Sequence, residues 1–150
     1  LQEGGTLAPG NLARAPGATV FGKDQLGGVH QIAKVTDGVF GNASSWIGAS
    51  GFSFVGVAFG RAVTFEQLAF GRDNTGGFSD RATGRYLVQV TSVANPGAAT
   101  PDADWTTLGT IRYEAIAGPG FTAPALRHRF GFSAVTATGL RIVTVENGLA

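Results

Sequence analysis

The chain has no cysteine and no methionine among its 150 residues. The first absence removes disulfides, thiolate metal sites and cysteine nucleophiles together. It leaves the compartment open, because a sufficient core holds without disulfides. Charge is scarce and balanced, with 11 Lys and Arg against 10 Asp and Glu, 14% of the chain. Phosphate backbones need a basic surface, so this balance argues against nucleic acid as the main partner. No run of about 18 apolar residues is present, so no membrane-spanning helix is expected. Helix signals are few: only 25–35 could form a turn or two, and Gly27-Gly28 weakens it. The two histidines, His30 and His128, have no metal-ligand spacing. No G-x-S-x-G, phosphate loop or H-E-x-x-H occurs. The opening Leu1-Gln2-Glu3-Gly4-Gly5 lacks a starting methionine, which fits a processed product or an excised piece.

What the chain does have is glycine, 24 residues of it, set between short apolar stretches. Residues 18–21, 52–59, 62–70, 86–91, 105–113, 126–132 and 140–145 read as strands separated by Gly, Pro, Asn and Asp clusters. A bend is expected at Glu66-Gln67. Tyr86, Val88 and Val90 alternate onto one face. Phe52, Phe54 and Val57 or Phe59 are available to a core face. This pattern predicts an all-β fold, an antiparallel β-sandwich or jelly roll of about eight strands. The length suits one domain. Residues 1–10 read as a linker and 11–150 as the domain. Long loops are expected from Gly71 to Arg85, from Ser92 to Asp104 and from Glu114 to Ala125. The middle one reads as plain connection. Asn147-Gly148 is a strong hairpin signal, yet only Leu149-Ala150 follow. A C-terminal strand is therefore expected to be missing. The slot beside Leu140 to Val145 should be filled by the N-terminal segment or by another chain, giving assembly through an open sheet edge.

Several landmarks in order carry a resemblance. They are Asn11-Leu12-Ala13; Val35-Thr36-Asp37-Gly38 followed by Ser44-Ser45-Trp46; Val55 to Gly60; and Leu68-Ala69-Phe70-Gly71-Arg72. Arg85 to Val90, Asp104 to Leu108, and Thr138-Gly139-Leu140-Arg141-Ile142 complete them. From Asn11 onward the chain resembles the discoidin-like or F5/8 type C family, which includes the family 32 carbohydrate-binding modules. The resemblance implies a galactose-binding-like jelly roll, non-catalytic, in a secreted or surface protein. Its loops at one end would bind glycans, lipid head groups or proteins.

Asp37 with Asn42, Ser44 and Ser45 is the candidate metal loop. Ca²⁺ takes six to eight oxygens, and a tight loop can offer carboxylate, amide, hydroxyl and carbonyl together. The resemblance implies a structural Ca²⁺ here; the alternative is a metal-free turn in which Asp37 accepts backbone N–H groups. Arg72-Asp73-Asn74 offers a guanidinium beside a carboxylate and an amide, spaced for vicinal hydroxyls. Phe78 could stack on the sugar's C–H face. The alternative is a loop stapled by its own Arg–Asp pairs. Trp46 and Trp105 are either sugar platforms or structural packing. Arg127 and Arg129 share one strand face and His128 the other, so the arginines are either a solvated face or a site for an acidic ligand. Asn42-Ala43-Ser44 is a glycosylation sequon.

The expected function is extracellular carbohydrate binding through loops around Trp46, Arg72 and Phe121, at a bacterial cell surface. The alternative is a structural module whose loops or open sheet edge hold a neighbouring protein domain.

Overall fold

The computed structural model describes residues 1–3, 9–39, 41, 43–70, 84–113 and 128–145. Six strands are seen among them: β1 (Gln2–Glu3), β2 (Thr19–Gly22), β3 (Phe54–Phe70), β4 (Gly84–Thr91), β5 (Thr106–Tyr113) and β6 (His128–Thr144). All pairings are antiparallel, in the order β2-β3-β6-β4-β5, with β1 added to β6. The all-β expectation holds. Four of the expected strands are fused into two: 52–59 with 62–70 as β3, and 126–132 with 140–145 as β6, each 17 residues long.

β3 and β6 run together along their whole length and bend together. Between the pairs Ala58↔Gly139 and Val63↔Ala137, β3 carries extra residues. Gly60 turns this corner at φ +72°, with the Gly17 carbonyl 2.7 Å from where a Cβ would sit. A second irregularity lies between Phe65 and Gln67, at the expected bend. It changes the parity of the core positions on β6, from Phe130 and Phe132 before it to Val135 and Ala137 after it.

Bending brings the two halves of the ladder face to face. Val57 and Phe59 from one half share a core with Phe130 and Ala137 from the other, and Val88, Val90, Ile111 and Leu140 complete it. Phe65 meets Phe59 and Phe132 edge-on at 5.4 and 5.8 Å between ring centres. Tyr86 packs against this core with Val88 and Val90, as the alternation predicts.

Several expectations are corrected. The core face of β3 is that of Val57 and Phe59, while Phe54 lies on the outer face and Phe52 precedes the strand, 65% exposed. The slot beside Leu140 to Val145 is not open: Leu140–Val143 pair with Phe54–Val57 on one side and Leu87–Val90 on the other. A returning strand has no place there, because β6 is central. Gln2–Glu3, expected in a linker, pair with Phe130 and Gly131. Residues 25–35 form no α-helix; a short 3₁₀ turn covers Ile32–Thr36.

The connection from β4 to β5 also does more than connect. It folds over the outer face of the sheet, burying Pro96 against Gly139 and placing Trp105 beside Phe21. Arg141 alternates with Leu140 and Ile142 and so faces outward, into this cover. Its guanidinium lies 4.5 Å from the Trp105 ring centre and 5.0 Å from that of Phe54. Nε donates to Gln89 Oε1 at 2.8 Å and Nη2 to Asp102 Oδ1 at 2.7 Å, leaving the residue 3% exposed.

Replacing Arg141 with Ala removes both hydrogen bonds and the contacts with two aromatic rings. A loss of about 2–4 kcal/mol of unfolding free energy is expected. Urea denaturation measures it, and a variant within about 0.5 kcal/mol of the parent would show that the cover holds without the guanidinium.

Candidate functional site

The start of β3, the end of β6 and the start of β4 meet at one end of the sheet. Thr144 N–H donates to the Ser53 carbonyl at 2.9 Å and Val145 N–H to the Arg85 carbonyl at 3.1 Å. Lys23, just after β2, donates its N–H to the Phe54 carbonyl at 3.0 Å. The last described residue of β3, Phe70, pairs with His128 on β6.

Asp24 organises the loop before β3. Its Oδ1 accepts the Ala49 N–H at 2.9 Å and the Ser53 hydroxyl at 2.5 Å, and its Oδ2 accepts the Ser50 hydroxyl at 2.7 Å. Its carbonyl accepts the Trp46 indole N–H at 2.8 Å. Ser53 is wholly buried, and a Cβ on Gly48 would sit 2.4 Å from the Ser53 Cβ, so only glycine lets the loop close this tightly. Thr144 Oγ1 donates to the Ser53 carbonyl at 3.0 Å and accepts the Ser53 N–H at 2.9 Å. Burial would raise the Asp24 carboxyl, but the Ser53, Ser50 and Ala49 hydrogen bonds and nearby Lys23 outweigh it and hold the group below its ordinary value.

On this braced loop Phe52 stands out to solvent, 65% exposed, with its carbonyl accepting the Lys23 ammonium at 3.0 Å. A large aromatic ring on a loop held by four side-chain hydrogen bonds is a preorganised flat apolar face. Trp46 is half-buried, with its N–H turned inward to Asp24. Trp105 is 7% exposed and lies in the outer cover beside Phe21.

Next to the loop, His30 Nδ1 lies 2.8 Å from the Ser45 hydroxyl, and Gln31 N–H donates to the Ser45 carbonyl at 2.8 Å. These bonds join the segment around Gly27-Gly28 to the one carrying Trp46.

Asp37 and Ser44 do come together. Ser44 donates its hydroxyl to Asp37 Oδ2 at 2.5 Å, and Val39 N–H donates to Oδ1 at 2.8 Å. The Lys34 ammonium lies 3.8 Å from the same carboxylate, and the Arg14 guanidinium rests against Gly38, 2.5 Å from where a Cβ would be. The Ser44 and Val39 hydrogen bonds, helped by both cations, hold the Asp37 carboxyl below its ordinary value. Among the described residues no group of three His, Cys, Asp or Glu side chains gathers for a metal. The donor set placed here offers Ca²⁺ one carboxylate, already occupied, and two neighbouring positive charges. Among the described residues this set does not by itself make up a divalent-cation site.

Asn42, Arg72, Asp73, Asn74, Phe78, Phe121 and Arg127 lie outside the described residues. Arg129 is exposed and Phe130 buried, the alternation expected of that strand. Sequence reasoning missed Asp24 and Phe52. The signal for Phe52 was present: Ser50-Gly51 before it and Ser53 after it interrupt the apolar run.

No protein-family model and no curated protein matches the chain. Solved structures do. Chitosan-binding module 1 of a Paenibacillus sp. IK-5 chitosanase/glucanase is 21% identical, with a TM-score of 0.63 over 91% of this chain and 87% of that one. CpGH89CBM32-5 from Clostridium perfringens, in complex with GalNAc-β-1,3-galactose, is 10% identical, with a TM-score of 0.64 over 87% and 85%. The family 32 carbohydrate-binding module of Clostridium perfringens NanJ, in complex with galactose, is 15% identical, with a TM-score of 0.60 over 86% and 82%. The chain therefore has the galactose-binding-like jelly-roll fold of these modules. No helix among the described residues is long and apolar enough to cross a membrane.

Two measurements follow. Both Asp24 and Asp37 have folded-state values below 3.8. Their contribution to stability is present above that pH and is lost as pH falls toward the lower folded values. Asp24→Ala should cost about 1–3 kcal/mol at neutral pH and flatten the acid limb of the stability curve below about pH 4. An unchanged acid limb would show that Asp24 is not a source of it. For Asp37, neither added Ca²⁺ nor a chelator should move the melting temperature, since a ligand stabilises only when it binds the native state. A rise with Ca²⁺ would show that the loop rearranges around the ion.

Proposed function

We propose that this domain is a non-catalytic carbohydrate-binding module and that the loop bearing Phe52 is part of its sugar site. The observation that carries the reading is the exposed Phe52 ring, held on a loop fixed by Asp24 at one end of a fold shared with sugar-binding modules. A pyranose has one face of C–H groups and an edge of hydroxyls. The ring takes the first by apolar contact. The Lys23 ammonium beside it, with hydrogens left over after bonding the Phe52 carbonyl, donates to the second. The Arg72, Asp73, Asn74, Phe78 and Phe121 side chains are the further contacts this reading assigns from the resemblance. The module belongs on this reading to an extracellular bacterial protein, where it holds its parent against a glycan.

Phe52→Ala tests it. The ring is exposed, so the melting temperature should stay unchanged, while affinity for the best glycan found on an array falls by on the order of tenfold or more. Calorimetry with that glycan gives the number. A chain that ignores every glycan on the array while retaining a neighbouring protein domain would instead be a structural module.

A further inference from the structure

The other end of β4 carries a different concavity. β4 runs from the Phe52 end, at Arg85, to Thr91, about 20 Å away at strand spacing. There a cleft of about 440 Å³ opens between the end of β4, the start of β5 and the middle of β6. This volume lies in the range of small-ligand sites. Its floor is apolar, made by Val90, Leu108 and Val135, and its rim is polar, made by the exposed Thr106, Thr136 and Asp104.

Two features show how the cleft is made. The register between β4 and β5 passes from Val88↔Gly109 to Gln89↔Thr107, so Leu108 is an extra residue without a partner across the ladder. Such a bulge re-aims a side chain and is frequent beside functional sites. The second feature is charge. Of the two carboxylates in the Asp102–Asp104 turn, Asp102 is held by Arg141. Among the described residues Asp104 has no ion-pair partner, and the lining includes no Lys, Arg or His. The cleft therefore combines an apolar floor, a rim of hydroxyls and one free negative charge.

We infer that this cleft is a second saccharide site, separate from the Phe52 loop, and that it takes an amine-bearing hexose unit. The C–H face of the ring lies on Val90, Leu108 and Val135. Its hydroxyls meet the threonines, and its ammonium meets Asp104. A sugar acid is disfavoured by the same carboxylate. The inference does not rest on the Phe52 reading, because it uses other residues at the other end of the strand.

The experiment titrates the ¹⁵N-labelled full chain with a glucosamine trisaccharide and, separately, with its fully N-acetylated counterpart. The first should shift the amides of 90–93, 104–108 and 135–136, and the second should do so only weakly. Asp104→Asn should weaken the glucosamine interaction roughly two- to fivefold, the range of an exposed ion pair. Ser92→Arg, which sets a cation on the lining, should weaken it in the same direction. Both positions are exposed, so both variants keep the fold. Cleft amides that do not move, or an affinity that Asp104→Asn leaves unchanged, would overturn the inference. Shifts confined to 46–53 would do the same while leaving the Phe52 site standing. Loss of the array glycan's binding in Phe52→Ala, with the glucosamine-induced cleft shifts intact, would separate the two sites.

Discussion

The antiparallel ladder of β3 with β6 is the constraint from which the other features follow. Each strand is 17 residues long, and they bend as one body around Gly60. Backbone pairing through a bend forces the extra residues out at defined places, and those places decide which side chains face inward. One set of residues thus supplies both layers of the sandwich.

The outer face shows how an apparently unsuitable residue is accommodated. An arginine at a strand position facing solvent would ordinarily remain hydrated. Here the 92–105 connection covers it, and the Trp105 and Phe54 rings lie against the guanidinium in place of water. Gln89 and Asp102 satisfy donors at its edge. The cover is thereby tied to the centre of the sheet rather than to its margin, and the start of β5 is fixed with it.

Much of the architecture was legible in the sequence, because alternation and glycine spacing are local signals. Tyr86, Val88 and Val90 could be assigned to one face, and the bend at Glu66-Gln67 could be placed. The fusion of strands was not legible: a glycine between two apolar runs looks the same whether the chain turns or merely bends. Phe52 was misassigned because alternation was extended past the point where Ser53 turns inward. Asp24 gave no signal, since its partners lie 25 to 29 residues further on, at Ala49, Ser50 and Ser53. Asp37 and Ser44 were rightly brought together, but Arg14, which presses on the same loop, comes from a distant segment that no local pattern connects with it.

The chain's two tryptophans sit in unlike surroundings. Trp46 is half-buried and bonded to the backbone of Asp24 within the Phe52 loop. Trp105 is enclosed, stacked on a cation and adjacent in sequence to Asp104 at the cleft rim. A hydrogen-bonded indole near solvent and a shielded one above a guanidinium differ in emission colour and in access to a soluble quencher. The Phe52 loop and the outer cover thus each have their own intrinsic fluorophore, and single Trp→Phe replacements would let one be watched while the other stays dark.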